Sequence, residues 1–129
     1  MLFFAASSKR KPRELLPLME GMEVLLLSPK KVRSEEELLL AHALAKKAIK
    51  EKRAISRTLP VEFLLWLSGK RDIRRAFAEY GAKSTDLLAV SFGEKKKTLL
   101  NRLHLKEKKL KLKKEADAKA IERISLSRI

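Results

Sequence analysis

Two short stretches of the chain carry side chains that could do chemistry together. In Ser68-Gly69-Lys70-Arg71, followed by Arg74 and Arg75, four cations gather where a helix starts again after a glycine. The opening turn of a helix has free N–H groups and the positive end of the dipole, which disfavour cations there by about 0.3–1 kcal/mol each. Backbone donors, a flexible glycine and four cationic side chains suit a phosphate. The competing reading is ordinary surface charge, partly offset by Asp72. The second stretch, Tyr80-Gly81-Ala82-Lys83, closes that helix, and Lys83 joins the same seat only if the fold returns it there. Tyr80 and Trp66 stand at core-type positions, where packing is the default, although an aromatic at a helix end could stack a base.

Other chemistries are poorly supplied. With no cysteine there is no disulfide framework, thiol nucleophile or Cys-ligated metal site. His42 and His104 are too few and too far apart in sequence for zinc without carboxylate help, and His42 reads as a structural or simply polar residue. No G-x-G-x-x-G, Walker loop or G-x-S-x-G is present, and the acids are mostly explained as helix caps. The expectation is a protein without catalytic residues, metal, cofactor or small-molecule substrate.

The charge points to a polyanion. Thirty-one Lys and Arg stand against 16 Asp and Glu, a net +15 over 129 residues. Nucleic acid is the first partner class for such a surplus and an anionic membrane the second. The surplus is uneven: Glu94 to Lys114 holds ten Lys or Arg against two Glu, and the Lys106 to Lys114 run within it reads as a solvated face or loose connection. Aromatics make up 5% of the chain, and no RNP-like aromatic pattern appears. No apolar run approaches the ~18–20 residues that span a bilayer. The basic Lys9-Arg10-Lys11-Pro12-Arg13 follows the apolar start instead of preceding it, an order wrong for a secretory signal. A soluble, cytoplasmic protein without a membrane partner is expected.

The elements that must hold these residues are mostly visible. The length suits one domain, residues 1–129. Residues before Ser7 read as a short edge strand with a basic turn after it, and Glu23–Leu27 as a buried strand stopped by Ser28-Pro29. Ser34 with Glu37 forms a capping box, and Glu35 and Glu36 suit the dipole of the helix that follows. Its Leu38, Ala41, Ala45, Ala48 and Ile49 share one face; Leu39, Leu40 and Leu44 point elsewhere, either sandwiched or offered to a partner. Ala54–Thr58 is a connection. A nearly all-apolar helix starts near Pro60, with Glu62 placed for the dipole, and stops at Gly69. The next helix groups Ile73, Ala76, Phe77 and Tyr80 on one face and Arg74, Arg75 and Glu79 on the other. Leu87–Phe92 reads as a strand, Glu94 to about Leu103 as a basic helix, and Ala116 to Ile124 as a last helix, with the alternating Ile124–Ile129 suggesting a closing strand. Interleaved strands and helices give an α/β (α+β) class: a small mixed β-sheet packed with several helices.

In this setting the succession Leu40-Ala41-His42-Ala43-Leu44-Ala45, Lys52-Arg53-Ala54-Ile55-Ser56, Val61 to Ile73 and Tyr80-Gly81-Ala82-Lys83 resembles the small kinase-binding subunit of the KEOPS complex, the PRPK-binding protein family. Its most specific part is E-x-L-x-x-x-S-G-x-R-x-I, here Glu62, Leu64, Ser68, Gly69, Arg71 and Ile73, followed by Gly81 and Lys83. The resemblance runs from about Val24 to Phe92. It implies a small α/β protein, not itself an enzyme, that binds and stimulates the complex's atypical protein kinase. It also implies help in presenting tRNA for threonylcarbamoyladenosine formation beside the anticodon, with archaeal members holding the 3′ CCA end. On matching positions, Ser68, Gly69, Lys70, Arg71, Tyr80, Gly81 and Lys83 become candidate CCA contacts, with Arg74 and Arg75 beside them, and Leu39, Leu40 and Leu44 a candidate kinase face. After Phe92 the chain is short and Lys-rich for this family. Two alternatives follow: a kinase regulator without RNA contact, and a general basic RNA-binding protein using Lys95 to Lys114.

Overall fold

Period-two apolar runs and capped helical stretches become ten elements in a computed structural model that describes residues 1–129. In order they are β1 (Leu2–Ser8), α1 (Pro12–Leu15) with a 3-10 turn (Leu16–Met19), β2 (Val24–Leu27), α2 (Glu35–Lys50), α3 (Leu59–Ser68), α4 (Ile73–Tyr80), β3 (Asp86–Ser91), α5 (Lys96–Arg102), β4 (Leu105–Lys108) and α6 (Ala118–Ser125). The class is α/β, as expected. The chain packs as two compact units, Met1–Lys31 with Gly81–Lys111 and Val32–Tyr80 with Leu112–Ile129.

The first unit is built on a four-stranded sheet of order β2-β3-β1-β4. Every ladder is antiparallel rather than mixed. Phe4 lies opposite Ala89, and Ala6 opposite Leu87. These side chains share a face with Val24 and Leu105, and Leu15, Leu99 and Leu103 complete that core. The opposite face, with Leu25, Leu27, Leu88 and Val90, is buried as well. That explains why β2 and β3 read as continuous apolar runs instead of alternating ones. The N-terminal strand is interior, between β3 and β4, and not an edge. The helix expected from Glu94 is α5, and the start of the Lys106–Lys114 run is paired as β4 while its lysines stay exposed. Lys side chains on β4 suit an edge strand, where charge discourages pairing with other chains.

The second unit is helical. Ser34 Oγ accepts from the Glu37 N–H (3.3 Å) while Glu37 Oε2 accepts from the Ser34 N–H (2.9 Å), the capping box legible in the sequence. Leu38, Ala41, Ala45 and Ala48 are buried, and the small stripe lets α2 lie close to α3; Ile49, placed on that face by periodicity, is exposed. Helix α3 is buried from Glu62 to Ser68. Helix α6, capped by Asp117, packs on both α2 and α3. The last residues form no strand: Ile124 and Ser125 finish α6 and a turn follows.

Candidate functional site

The corner between α3 and α4 is held largely by its own unit. Gly69 has φ +71°, the left-handed conformation that ends a helix cheaply only without a Cβ, and its N–H donates to Leu65 O and Trp66 O. A Cβ there would lie 2.7 Å from Arg123 Cγ and 2.8 Å from the Arg123 carbonyl oxygen, so α6 seals this side of the corner. Ser68 is buried; its hydroxyl donates to Leu65 O (3.2 Å) and accepts from the Lys70 N–H (3.2 Å). At the start of α4, Asp72 Oδ1 accepts from the N–H groups of Arg74 (2.9 Å) and Arg75 (3.4 Å). The N–H groups of Gly69, Lys70, Arg74 and Arg75, pictured as part of a phosphate seat, are thus already engaged, which leaves the side chains as the main donors to an anion.

The cations themselves divide. Lys70 Nζ pairs with Glu79 (3.3 Å), a part-exposed pair of small energetic weight. Arg71 reaches Ser127 O with its Nε (3.4 Å), and Arg71, Arg74 and Arg75 are all exposed. Tyr80 is 3% exposed, and the Arg123 guanidinium lies 5.7 Å from its ring centroid. Burial pushes its phenol above the usual range, with Arg123 opposing. A nucleobase therefore has no access to Tyr80, and its role is packing. The aromatic on offer is Phe77, 41% exposed, one helical turn from Arg74 and accompanied by exposed Ile73. Periodicity had put Phe77 and Ile73 on the core face with Ala76 and Tyr80; only the last two are buried. Ile73, Ala76, Phe77 and Tyr80 are all apolar or small, so periodicity does not decide which stripe of α4 faces inward, and the signal for Phe77 was its place beside Arg74 and Arg75.

Gly81 and Lys83 belong to the first unit. Gly81 bridges to Leu27, the Ala82 N–H donates to Leu26 O (3.0 Å), and Lys83 is exposed. On α2, Leu39 is 57% exposed and Leu40 and Leu44 are half-buried, so the suspected partner face is partly open.

Sequence reasoning missed what Glu62 does. It is completely buried, not a surface acid tuned to the helix dipole. Its Oε1 accepts from the Ile55 (3.0 Å) and Ser56 (2.9 Å) N–H groups, and its Oε2 from Trp66 Nε1 (2.9 Å) and from Arg128 Nη1 (2.6 Å). Arg128 also stacks over Trp66, 4.2 Å from its centroid. A parallel node joins Glu37 Oε1 to Arg123 Nη2 (2.7 Å), while Arg123 Nε donates to Leu67 O. Within the E-x-L-x-x-x-S-G-x-R-x-I pattern, then, Glu62, Ser68 and Gly69 build the helical unit and Arg71 is the position left to meet a ligand.

A family model described as kinase binding protein CGI-121 matches residues 10–128. The chain belongs to that family. The match extends the resemblance seen over residues 24–92 through the Lys-rich segment and α6, so the short C-terminal part is this chain's form of the CGI-121 fold. No curated protein matches the chain closely enough to count as a relative. No helix is long and apolar enough to cross a membrane, and no group of three or more His, Asp or Glu is placed to hold a metal ion.

Proposed function

We propose that the chain is the kinase-binding subunit of a KEOPS-type complex, without catalytic residues of its own. It docks on an atypical protein kinase in the cytoplasm, stimulates it, and recruits tRNA by its 3′ CCA end for threonylcarbamoyladenosine formation. Membership of the kinase-binding CGI-121 family carries this reading. The kinase face is the open side of α2, with Leu39, Leu40 and Leu44. For the RNA, Arg71, Arg74 and Arg75 supply phosphate contacts beside the exposed Phe77 ring, the pairing of charge and stacking that suits unpaired nucleotides. Lys70 adds charge, whereas Ser68, Gly69 and Tyr80 shape the backbone around them.

Binding of one tRNA with and without its terminal CCA tests the RNA half. Arg71→Glu and Arg74→Glu are expected to weaken intact tRNA more than the trimmed form, and Phe77→Ala to cost about 1–3 kcal/mol on the intact form alone. Equal affinity of the wild-type chain for both forms removes the CCA assignment. The general RNA-binding alternative predicts that neutralising Lys95, Lys96 and Lys97 abolishes binding to both. Tight kinase binding without tRNA affinity at moderate salt leaves a pure kinase regulator.

A further inference from the structure

The basic Lys9–Arg13 turn, which the CCA reading leaves unused, acquires a setting in the sheet. Antiparallel pairing puts the end of β1 beside the starts of β3 and β4: Ser7 is opposite both Asp86 and Lys106, and Ser8 opposite Leu105. The Ser8 N–H donates to Thr85 O (2.8 Å), and Ser8 Oγ accepts from the Arg10 N–H (3.0 Å). Within two residues of this junction stand Lys9 and Arg10 after β1, Lys83 before Thr85, and Lys106 on β4. Strands lie ~4.8 Å apart, so three neighbouring segments deliver these four cations to one sheet end. All four are exposed and none is in an ion pair. The nearest acid by register, Asp86, is already taken by Lys108 Nζ (2.8 Å).

Two ordinary explanations fall short. Edge-strand protection accounts for Lys106 and Lys108 but not for Lys9, Arg10 and Lys83, which lie outside the strands. Solubility needs dispersed charge of both signs, whereas the acids at this end, Asp86 and Glu107, are already paired with Lys108 and Lys96 and leave these four cations uncompensated. Apolar surface for a membrane is also thin here: Leu16, on the turn after α1, is the single large exposed apolar residue nearby, whereas membrane-surface segments bury a whole apolar face.

We infer that this end of the sheet, with Lys9, Arg10, Lys83 and Lys106, is an RNA-backbone contact that reads phosphate and not the CCA end. It rests on the reading that the chain binds tRNA, and it moves Lys83 from end recognition to backbone contact. The test is the full chain with Lys9→Gln, Arg10→Gln, Lys83→Gln and Lys106→Gln together, titrated with tRNA carrying and lacking CCA between about 50 and 200 mM salt. The expected result is at least a tenfold loss for both forms by the same factor, with the slope of log affinity against log salt shallower by about 3. Should the quadruple variant fold poorly by circular dichroism, Lys9→Gln/Arg10→Gln, confined to an exposed turn, carries the test with a slope change of about 1.5.

Unchanged affinity and slope overturn the inference, as does a loss confined to CCA-bearing tRNA. A variant that keeps RNA affinity but loses binding to phosphatidylserine vesicles reassigns the surface to lipid and overturns it too. If wild-type binding ignores CCA yet falls in the quadruple variant, the CCA reading fails and this one stands; if the wild-type chain binds no tRNA, both fail.

Discussion

Replacing Glu62 by Gln changes one atom's chemistry at a site with no solvent to absorb the change. The carboxylate accepts from four donors, two on each oxygen. Glutamine must turn its NH2 either toward the Ile55 and Ser56 N–H groups or toward Trp66 Nε1 and Arg128. Either way two buried donors face a donor, at about 1–3 kcal/mol each. The second choice also strands the Arg128 cation, whose side chain is 13% exposed, and removing one partner of a buried pair costs about 3–5 kcal/mol. We expect Glu62→Gln to lose about 4 kcal/mol, a large part of the 5–15 kcal/mol that holds a typical domain. Arg128→Met leaves Glu62 with three donors, keeps an apolar group against Trp66 and removes Nη2, a buried nitrogen with no acceptor. Its loss should be smaller, about 3 kcal/mol, because the three remaining donors still hold the carboxylate. The double variant should fall short of the sum by about 1–2 kcal/mol, since the two changes break the same node. Urea unfolding followed by fluorescence of the lone Trp66, itself part of the node, measures all three. A Glu62→Gln cost under 1 kcal/mol, or a greater cost for Arg128→Met, refutes this account of the node.

Gly69→Ala should lose about 2–3 kcal/mol in the same assay, from the left-handed backbone and the forced retreat of Arg123; a loss no larger than that of an exposed Gly21→Ala change would contradict it. Leu39→Glu should weaken kinase capture at least tenfold with an unchanged melting temperature, and retained capture would move the docking face off α2. Burial, with Lys46 nearby, holds the His42 imidazole below its ordinary pKa of 6.5. The unfolded chain therefore takes up that proton first, so stability is present above about 6.5 and falls as pH drops through that value toward the folded pKa. His42→Gln should flatten this part of the stability profile, and an unaltered profile would show that another group causes it.

The sequence announced features governed by local physics. Ser34 and Glu37 lie three residues apart and cap each other whatever the rest of the chain does, and Gly69 ends α3 because few other residues accept its φ. The Leu-rich runs of β2 and β3 were recognisable because a strand buried on both faces has no polar side. Elements that depend on distant partners were harder to read. β4 is a strand because β1 offers it a ladder, not because Leu105-Lys106-Glu107-Lys108 has strand propensity. The alternation from Ile124 to Ile129 found no neighbouring strand and resolved into the end of α6. At the candidate site the cations were legible, but which side of α4 faces inward was not, since Ile73, Ala76, Phe77 and Tyr80 are equally apolar and tertiary packing chose Ala76 and Tyr80. Glu62 looked like a helix-dipole acid because its counter-charge, Arg128, lies 66 residues downstream.

That separation bears on the order of events on the ribosome. Glu37 and Glu62 precede the cations that accompany them into the interior, Arg123 and Arg128, by 86 and 66 residues, so the carboxylates leave the ribosome well before their counter-charges. Until then α2 and α3 can form as helices, and Glu37 and Glu62 can accept from their local N–H donors, but closing around these carboxylates leaves each without a counter-charge. The native ion pairs of the helical unit therefore form only once residues 123–128 have been made. A chain ending before Arg123 lacks both counter-charges and the cover that α6 gives α2 and α3, and is expected to be the more easily cleaved by protease.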